Sequence, residues 1–228
     1  MKKVLLLLIV CVLIGCSENR YHIDETTNPT DTLCYLKIDM SLLSGIVYSE
    51  FGNIGLFKNG KRNGLQKGWH ESGQLWYEEN YNNGKLYGLF KEWYGNGELE
   101  EEGVFNNGEC DGVWKGWYES GQLKYEENYI KGKKYGLHKK WYESGQLEEE
   151  EIFKNDKRNG LDQSWYENGQ LKHEFNFNNN LFVGLNKEWY ENGQLKSEYN
   201  INKDGKWVGL SKSWYENGQL EWEELYDN

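Results

Sequence analysis

Histidine and carboxylate side chains are the residues of this sequence that could do acid–base or metal chemistry. Its four histidines are His22, His70, His138 and His173. They occupy unrelated positions, whereas catalysis by histidine requires a nearby nucleophile or carboxylate and zinc sites use Cys and His at short spacing. Glutamates gather at residues 98–102 and 148–151 and could bind cations weakly, although a solvated strand edge explains them better. On a solvated strand they have no cause to acquire the raised pKa of a glycosidase acid. The sequence therefore predicts no catalytic residue, no metal site, no cofactor and no enzymatic activity.

The N-terminus carries the cysteine whose chemistry can be assigned. Lys2 and Lys3 precede an unbroken apolar run from Val4 to Ile14, a pattern typical of an export signal and too short for a spanning helix. The run ends at Leu13-Ile14-Gly15-Cys16, which resembles the lipobox of bacterial lipoproteins. The resemblance implies cleavage before Cys16 and lipidation of its thiol. Residues 1–15 are thus predicted to be a lipoprotein signal peptide.

The expected location is the cell envelope, with the chain anchored to a membrane through lipid on Cys16. Ser17 follows that cysteine, and in Gram-negative lipoproteins the absence of Asp at this position permits sorting to the outer membrane. We therefore expect the outer membrane if the host is Gram-negative. Cys34 and Cys110 lie in different regions of the remaining chain, and we expect both to be free thiols.

The charge of the chain limits its partners. Removal of Lys2 and Lys3 changes the net charge from −11 to −13. Such a charge repels phosphate backbones, so we expect no nucleic acid partner. It also keeps a protein soluble, and we expect a monomer.

Most of the chain is a 24-residue repeat. Tryptophan recurs at five intervals of 24 residues and one of 25, at Trp69, Trp93, Trp117, Trp141, Trp165, Trp189 and Trp214. Gly recurs in step about every twelve residues, which excludes helix, and Asn-Gly or Ser-Gly dipeptides between apolar runs indicate hairpin turns. Each repeat therefore predicts two strands. The glycines that open the repeats, such as Gly64 and Gly88, are predicted to let a neighbouring aromatic ring lie across the strand.

The turn at Glu191-Asn192-Gly193 permits two registers, and sidedness chooses between them. A two-residue loop mixes apolar and charged residues on both faces. A three-residue loop pairs Trp189 with Leu195, Glu188 with Lys196, and Leu185 with Tyr199. The same loop type at residues 82–84 pairs Tyr77 with Leu89. This register predicts one Leu/Trp face and one Tyr/charged face, and further pairs Lys91 with Glu101 and Lys139 with Glu149.

The predicted fold is all-β, an elongated, curved single-layer antiparallel meander of tandem 24-residue β-hairpin repeats. Fourteen or fifteen strands are expected, and open sheets of that size tend to curl. The repeat array spans residues 45–228. Residues 16–44 lack the period and are predicted to be a tether or linker.

The motif Trp-Tyr-Glu-Asn-Gly-Gln-Leu, at Trp165 to Leu171 and Trp189 to Leu195, is joined by Asn-Gly-Lys-x-x-Gly-Leu linkers as at Asn59 to Leu65. Together they resemble the MORN-repeat variant family of bacterial proteins, often labelled YwqK-type antitoxins. The resemblance covers residues 57–226. It implies an elongated sheet of β-hairpins that mediates protein contacts, and an antitoxin role would imply a partner toxin in the same compartment.

Three functions are compatible with these features. The first is a lipid-anchored protein-interaction scaffold, because a single-layer sheet leaves its apolar face half exposed. The second is a carbohydrate or cell-wall binder in which aromatic rows stack on sugar rings, and the third is an antitoxin or immunity protein. The candidate binding surface is the Trp row if the sheet stays open, and otherwise the residues after each Trp. The tyrosines of that second row are Tyr94, Tyr118, Tyr142, Tyr166, Tyr190 and Tyr215.

Overall fold

The computed structural model describes residues 19–23, 26–27, 35–36 and 41–227, the second and third of these ranges by backbone alone. Strands make up nearly all regular structure in these ranges. They are β1 (Arg20–His22), β2 (Thr26–Thr27), β3 (Tyr35–Leu36), β4 (Gly45–Ser49), β5 (Gly52–Lys58), β6 (Lys61–Trp69), β7 (Leu75–Asn82), β8 (Lys85–Trp93), β9 (Leu99–Asn106), β10 (Glu109–Cys110), β11 (Gly112–Trp117), β12 (Leu123–Ile130), β13 (Lys133–Trp141), β14 (Leu147–Lys154), β15 (Lys157–Arg158), β16 (Gly160–Trp165), β17 (Leu171–Asn178), β18 (Leu181–Phe182), β19 (Gly184–Trp189), β20 (Leu195–Ile201), β21 (Gly209–Trp214) and β22 (Leu220–Tyr226).

Twenty of these strands form one open sheet, which confirms the predicted meander. A rung is one strand, or two short strands that continue each other along the sheet. From β4 onward each rung pairs antiparallel with the next along the chain, while β1 pairs parallel with β4. Three rungs are split in two, at Asp111, Asn159 and Val183, so the twenty strands form seventeen rungs against the fourteen or fifteen predicted strands. One of the added rungs is β1, from the stretch predicted as a tether. At each split the backbone amide still donates to the facing rung, as Asp111 N does to Val104 O at 2.8 Å. Outside the sheet, β2 and β3 pair with each other.

Two kinds of turn alternate along the sheet. At one edge Asn83 and Gly84 have φ of 51° and 85°, and Asn82 pairs with Lys85, so this is a two-residue loop of the type I′ kind. At the other edge Tyr190 N donates to Gln194 O and Gly193 N donates to Tyr190 O. Because the first kind of turn has two residues, the predicted three-residue loop at residues 82–84 is wrong. A further register shift between Glu79 and Tyr81 then brings Tyr77 opposite Glu92 instead of Leu89.

A β-bulge beside each Trp shifts the predicted register by one residue. The pair Trp189 and Leu195 is confirmed, but the next pairs are Glu188 with Ser197 and Asn186 with Tyr199. The extra residue, Lys196, occupies the bulge, as one strand of a bulge contributes two residues against one.

Because of the same bulge, every other predicted pair across these hairpins is wrong by one residue. Leu185 faces Asn200 instead of Tyr199. Lys91 pairs with Glu102 instead of Glu101, and Lys139 pairs with Glu150 instead of Glu149.

The corrected register divides the residues between two mixed faces. The ladder face carries Leu65, Lys67, Glu78, Asn80 and their equivalents in later repeats, which pair across the strands. The cluster face carries Gln66, Tyr77, Glu79, Tyr81 and their equivalents. The prediction of one Leu/Trp face and one Tyr/charged face is therefore wrong, because the shift moves the row of Tyr81 onto the face opposite the leucines.

The repeat-opening glycines serve the backbone and not an aromatic neighbour. They have φ between 67° and 131°, a region that residues with a Cβ adopt at a cost. A Cβ on Gly64 would meet nothing within 4 Å, whereas one on Gly68 would overlap the ring of Tyr77. An aromatic ring lies across a different glycine, the one that immediately precedes the Trp, as the ring of Tyr77 does at Gly68 and that of Tyr125 does at Gly116.

Burial is concentrated on the cluster face. An apolar core of Leu43, Val47 and Phe57 lies at the N-terminal end, so part of the stretch predicted as a tether contacts the sheet. Farther along the array the deepest side chains are polar, including Gln66 and Asn186. Cys110 is a free, half-buried thiol whose pKa is raised by burial, while Cys16 and Cys34 lie outside the described residues.

Candidate functional site

A ladder of charged pairs runs along the ladder face through six of the seven repeats. Lys Nζ to Glu Oε distances are 2.7 Å for Lys67–Glu78, 3.5 Å for Lys91–Glu102, 3.0 Å for Lys115–Glu126, 2.9 Å for Lys139–Glu150, 3.8 Å for Lys187–Glu198 and 3.7 Å for Lys212–Glu223. In the remaining repeat Gln163 Nε2 donates to Glu174 Oε2 at 2.9 Å. These pairs are partly exposed, so each contributes little to stability and mainly marks the register.

An exposed aliphatic row lies beside the ladder. Its members are Leu65, Leu89, Val113, Leu137, Leu161, Leu185 and Leu210, which are 37–47% exposed. In three repeats an Asn side chain fixes the backbone here, as Asn80 Nδ2 does by donating to Leu89 O at 2.8 Å. In three others the opposite residue is a second exposed aliphatic, Val104, Ile152 or Leu225. The ladder face therefore offers at least one aliphatic side chain and one ion pair, or its Gln163 equivalent, per repeat.

The tryptophans proposed from sequence as binding residues are half-buried in the array. By the two-residue period of a strand, Trp69 continues the face of Lys67. Trp69 pairs with Leu75 at the bulge, and each later Trp pairs with the equivalent Leu, as Trp189 does with Leu195. The tryptophans thus border the ladder with rings that are neither fully covered nor fully free.

The tyrosines after them join consecutive repeats. Each phenol donates to the backbone carbonyl of the next Trp, at 2.7 Å for Tyr94–Trp117, 2.8 Å for Tyr118–Trp141, and 2.9 Å for Tyr142–Trp165, Tyr166–Trp189 and Tyr190–Trp214. His70 Nε2 lies 2.9 Å from Trp93 O in the same way. Burial raises the pKa of Tyr94 and Tyr142. Tyr215, the last of the row, is 50% exposed.

Sequence reasoning missed a polar cluster on the cluster face. Ser164 Oγ lies 2.7 Å from His173 Nδ1, and His173 Nε2 lies 2.9 Å from Asp162 Oδ1. These are the residue types of nucleophilic hydrolysis. Ser164, however, pairs with His173 on one side and with Glu149 on the other, so backbone amides here serve strand pairing instead of an oxyanion. The group orders the sheet instead of forming a hydrolase site.

Three carboxylates adjoin this cluster. One oxygen each of Glu149, Glu151 and Asp162 lies within 4.8 Å of the others. Burial and the charge of Glu149 raise the pKa of Glu151, while Arg158 opposes that rise. The Glu148–Glu151 run was predicted to lie on a solvated strand, but Glu151 is only 8% exposed.

A single carboxylate stands at the same place one repeat earlier. Glu127 accepts hydrogen bonds from Lys134 Nζ at 2.8 Å and from the Tyr129 hydroxyl, and His138 Nδ1 lies 3.8 Å away. Burial alone would raise the pKa of Glu127, but the contacts with His138, Lys134 and Tyr129 outweigh it and lower the pKa to about 2.

Aromatic residues replace the polar ones nearer the N-terminus. The ring of Trp114 lies over Gly103, stacks on Phe90 with centroids 5.3 Å apart, and meets Phe105 edge to face at 5.1 Å. Beside it an open groove of about 290 Å³ is lined by residues that include Arg62, Trp76 and Phe90.

Seven segments of the chain match the model of the MORN repeat variant. They are residues 62–83, 86–107, 111–131, 134–155, 158–179, 182–203 and 207–228. The chain belongs to the MORN repeat variant family. No match was found among curated proteins.

MORN repeats are generally non-catalytic modules of protein or membrane interaction. The repeats of this chain share one pattern of hairpin pairing. None of the described residues forms a helix with the length and apolar character that crossing a bilayer would require.

Proposed function

We propose that this MORN repeat variant protein is a lipid-anchored scaffold of the cell envelope that binds a protein partner along its ladder face. The observation that carries the proposal is the exposed aliphatic row, which continues through all seven repeats beside the ion-pair ladder. An apolar strip with charged groups at its side has the composition of a protein interface core and rim. The anchor is expected from the lipobox-like Leu13-Ile14-Gly15-Cys16.

The ladder face suits a partner better than the cluster face does. On the cluster face several of the deepest side chains are hydrogen-bonded inside the sheet, as Asn186 is by donating to Gly184 O. On the ladder face the leucines project between ion pairs that tolerate solvent. An elongated partner would meet the same chemistry once per hairpin repeat, so weak contacts would add along its length.

The test is a pull-down from solubilised envelope membranes with the double substitution Leu137→Glu/Leu185→Glu, both within the row. Ile130→Glu/Leu181→Glu is the matched control, because these residues are 49% and 64% exposed but lie at the hairpin ends. We expect the row variant to recover at least about tenfold less partner and the control to recover as much as wild type. Equal recovery by both variants, or no protein above background for wild type, contradicts the proposal.

Two further measurements separate the parts of the proposal. Cys16→Ala should move the chain from the membrane fraction to the soluble fraction without changing partner recovery by purified repeats. Co-sedimentation of the purified chain with peptidoglycan, retained in Leu137→Glu/Leu185→Glu, would instead favour the cell-wall function.

A further inference from the structure

Three acidic side chains converge at one place on the cluster face. Glu149 and Glu151 lie two residues apart on β14, and their oxygens are within 4.8 Å of each other and of an Asp162 oxygen. Because Glu150 pairs with Gln163, Glu151 faces Asp162 across the antiparallel strands. Carboxylates directly opposite each other destabilise a sheet unless cations neutralise them.

The cations of the chain neutralise this group incompletely. Lys140 Nζ lies 3.4 Å from Glu149 Oε2. Arg158 Nε lies 2.5 Å from Glu151 Oε1, although not in hydrogen-bonding alignment. Asp162 is 2% exposed, and its Oδ2 has no hydrogen-bond partner, since the nearest guanidinium nitrogen of Arg158 is 3.7 Å away. A buried carboxylate oxygen without a partner carries a high desolvation cost.

The other repeats show that the sheet does not require this arrangement. At the place of the pair Glu151 and Asp162 they carry Gly55 and Gln66, Glu79 and Phe90, Gly103 and Trp114, Glu127 and His138, Phe175 and Asn186, and Tyr199 and Ser211. At the place of Glu149 they carry Asn53, Tyr77, Glu101, Tyr125, His173 and Ser197. Among the described residues, three carboxylates therefore coincide at one of seven equivalent places.

We propose that Glu149, Glu151 and Asp162 form a binding site for a divalent cation, with Ca²⁺ as the ion that best fits the donors. All three donors are carboxylate oxygens, which hard cations prefer, and Ca²⁺ binds them at about 2.3–2.6 Å, so donors on opposite sides of the ion are roughly 4.6–5.2 Å apart. Mg²⁺ requires about 2.0–2.1 Å and near-octahedral geometry, which three side chains fixed on two strands fit less well.

Two neighbours complete the site. His173 Nε2, 2.9 Å from Asp162 Oδ1, holds that carboxylate by one oxygen and leaves Oδ2, on the side of Arg158, without a hydrogen bond. Arg158, whose side chain is 42% exposed, occupies the position of a competing cation and swings towards solvent when the ion binds.

The experiment is calorimetric titration of the chelator-treated full chain with CaCl₂, repeated with MgCl₂. We expect one Ca²⁺ per chain and at least tenfold weaker Mg²⁺ binding. Glu151→Gln should weaken Ca²⁺ binding at least tenfold. Arg158→Gln should strengthen it about fivefold, because it removes the competing charge. Glu127→Gln is the matched control at the same place of the preceding repeat and should leave the affinity unchanged.

Thermal unfolding keeps the test decisive if a variant is less stable. Ca²⁺ should raise the midpoint for wild type and raise it further for Arg158→Gln, but should raise it much less for Glu151→Gln. The proposal is overturned if wild type shows neither heat nor a shift, if Glu127→Gln loses as much binding as Glu151→Gln, or if Arg158→Gln binds no more tightly than wild type.

Discussion

The aromatic cluster near β8 to β11 and the polar cluster near β14 to β17 occupy the same place in their repeats. In the first, Trp114 lies across Gly103 and stacks on Phe90. In the second, Asp162 takes the place of Trp114 and Glu151 that of Gly103. The backbone pairing is alike in both, as Lys115 faces Glu102 and Gln163 faces Glu150. The cluster face therefore accepts different chemistry without a change of backbone.

The ladder face differs from the cluster face in that two of its rows, the aliphatic row and the ion-pair ladder, keep their residue types, while only the row of Asn80 varies. Lys–Glu pairs recur in six repeats and Gln163–Glu174 occupies the seventh. Hairpin pairing alone does not require this uniformity, because such exposed pairs contribute little. A protein that binds one extended partner would keep constant rows on the face that contacts it, here the ladder face, while the opposite cluster face could vary.

The largest effect should come from filling the space beneath Trp114. A Cβ on Gly103 would lie 1.9 Å from a Trp114 ring atom, so Gly103→Ala should displace the ring and lower the free energy of unfolding by about 2–3 kcal/mol. Gly95→Ala, where a Cβ meets nothing within 4 Å, should change it by less than about 0.5 kcal/mol. Urea denaturation measures both, and equal effects would mean that the aromatic cluster does not hold this part of the sheet.

The stability of the polar region around Glu127 should depend on pH. The pKa of this glutamate is 4.5 in a model compound and about 2 in the folded chain, so the stabilisation is present above about pH 4.5 and is lost as the pH falls towards 2. At pH 7, Glu127→Gln should reduce the free energy of unfolding by roughly 2 kcal/mol.

The difference between wild type and Glu127→Gln should shrink at acidic pH. Denaturation at pH 7, 4 and 2.5 measures it. A difference independent of pH would show that the carboxylate charge is not what Lys134 and Tyr129 stabilise.

A smaller effect is expected where the tyrosines join repeats. Tyr142→Phe removes the donor to Trp165 O and should cost about 1 kcal/mol, the usual contribution of one hydrogen bond. Tyr215→Phe is the control, because this ring is half exposed and should tolerate the loss within about 0.3 kcal/mol. If both substitutions cost the same, the bond between repeats has no measurable role.

The smallest effect should come from the ladder. Lys139→Gln reproduces the combination already present at Gln163 and Glu174, and should change stability by no more than about 0.5 kcal/mol. The same variant is informative in partner recovery, because a charge at an interface rim affects association more than folding. A loss above 1 kcal/mol would reassign the ladder to a structural role.

The 24-residue period and its turn dipeptides were enough to predict the open meander, because Trp and Gly recur at fixed positions of the repeat. The pairing of Trp189 with Leu195 also followed from sidedness. No residue type marks the bulge in which Lys196 has no opposite residue on the facing strand. Because this bulge was not predicted, residues were assigned to the wrong faces of the sheet. The bulge also concealed the meeting of Ser164 with His173, while the two-residue turn and the split at Asn159 concealed that of Asp162 with Glu151. Aligning the repeats at the third residue before each Trp would have shown that this position varies most.

The tyrosine bonds also have a consequence for how the chain folds. Each joins residues 23 or 24 positions apart, and strand pairs form between neighbouring rungs, so every native contact of the array closes a short loop. Such arrays behave as a row of units, each coupled to its neighbours. Folding should therefore start wherever two adjacent hairpins first meet and spread outward, and unfolding should begin at the ends and advance one repeat at a time.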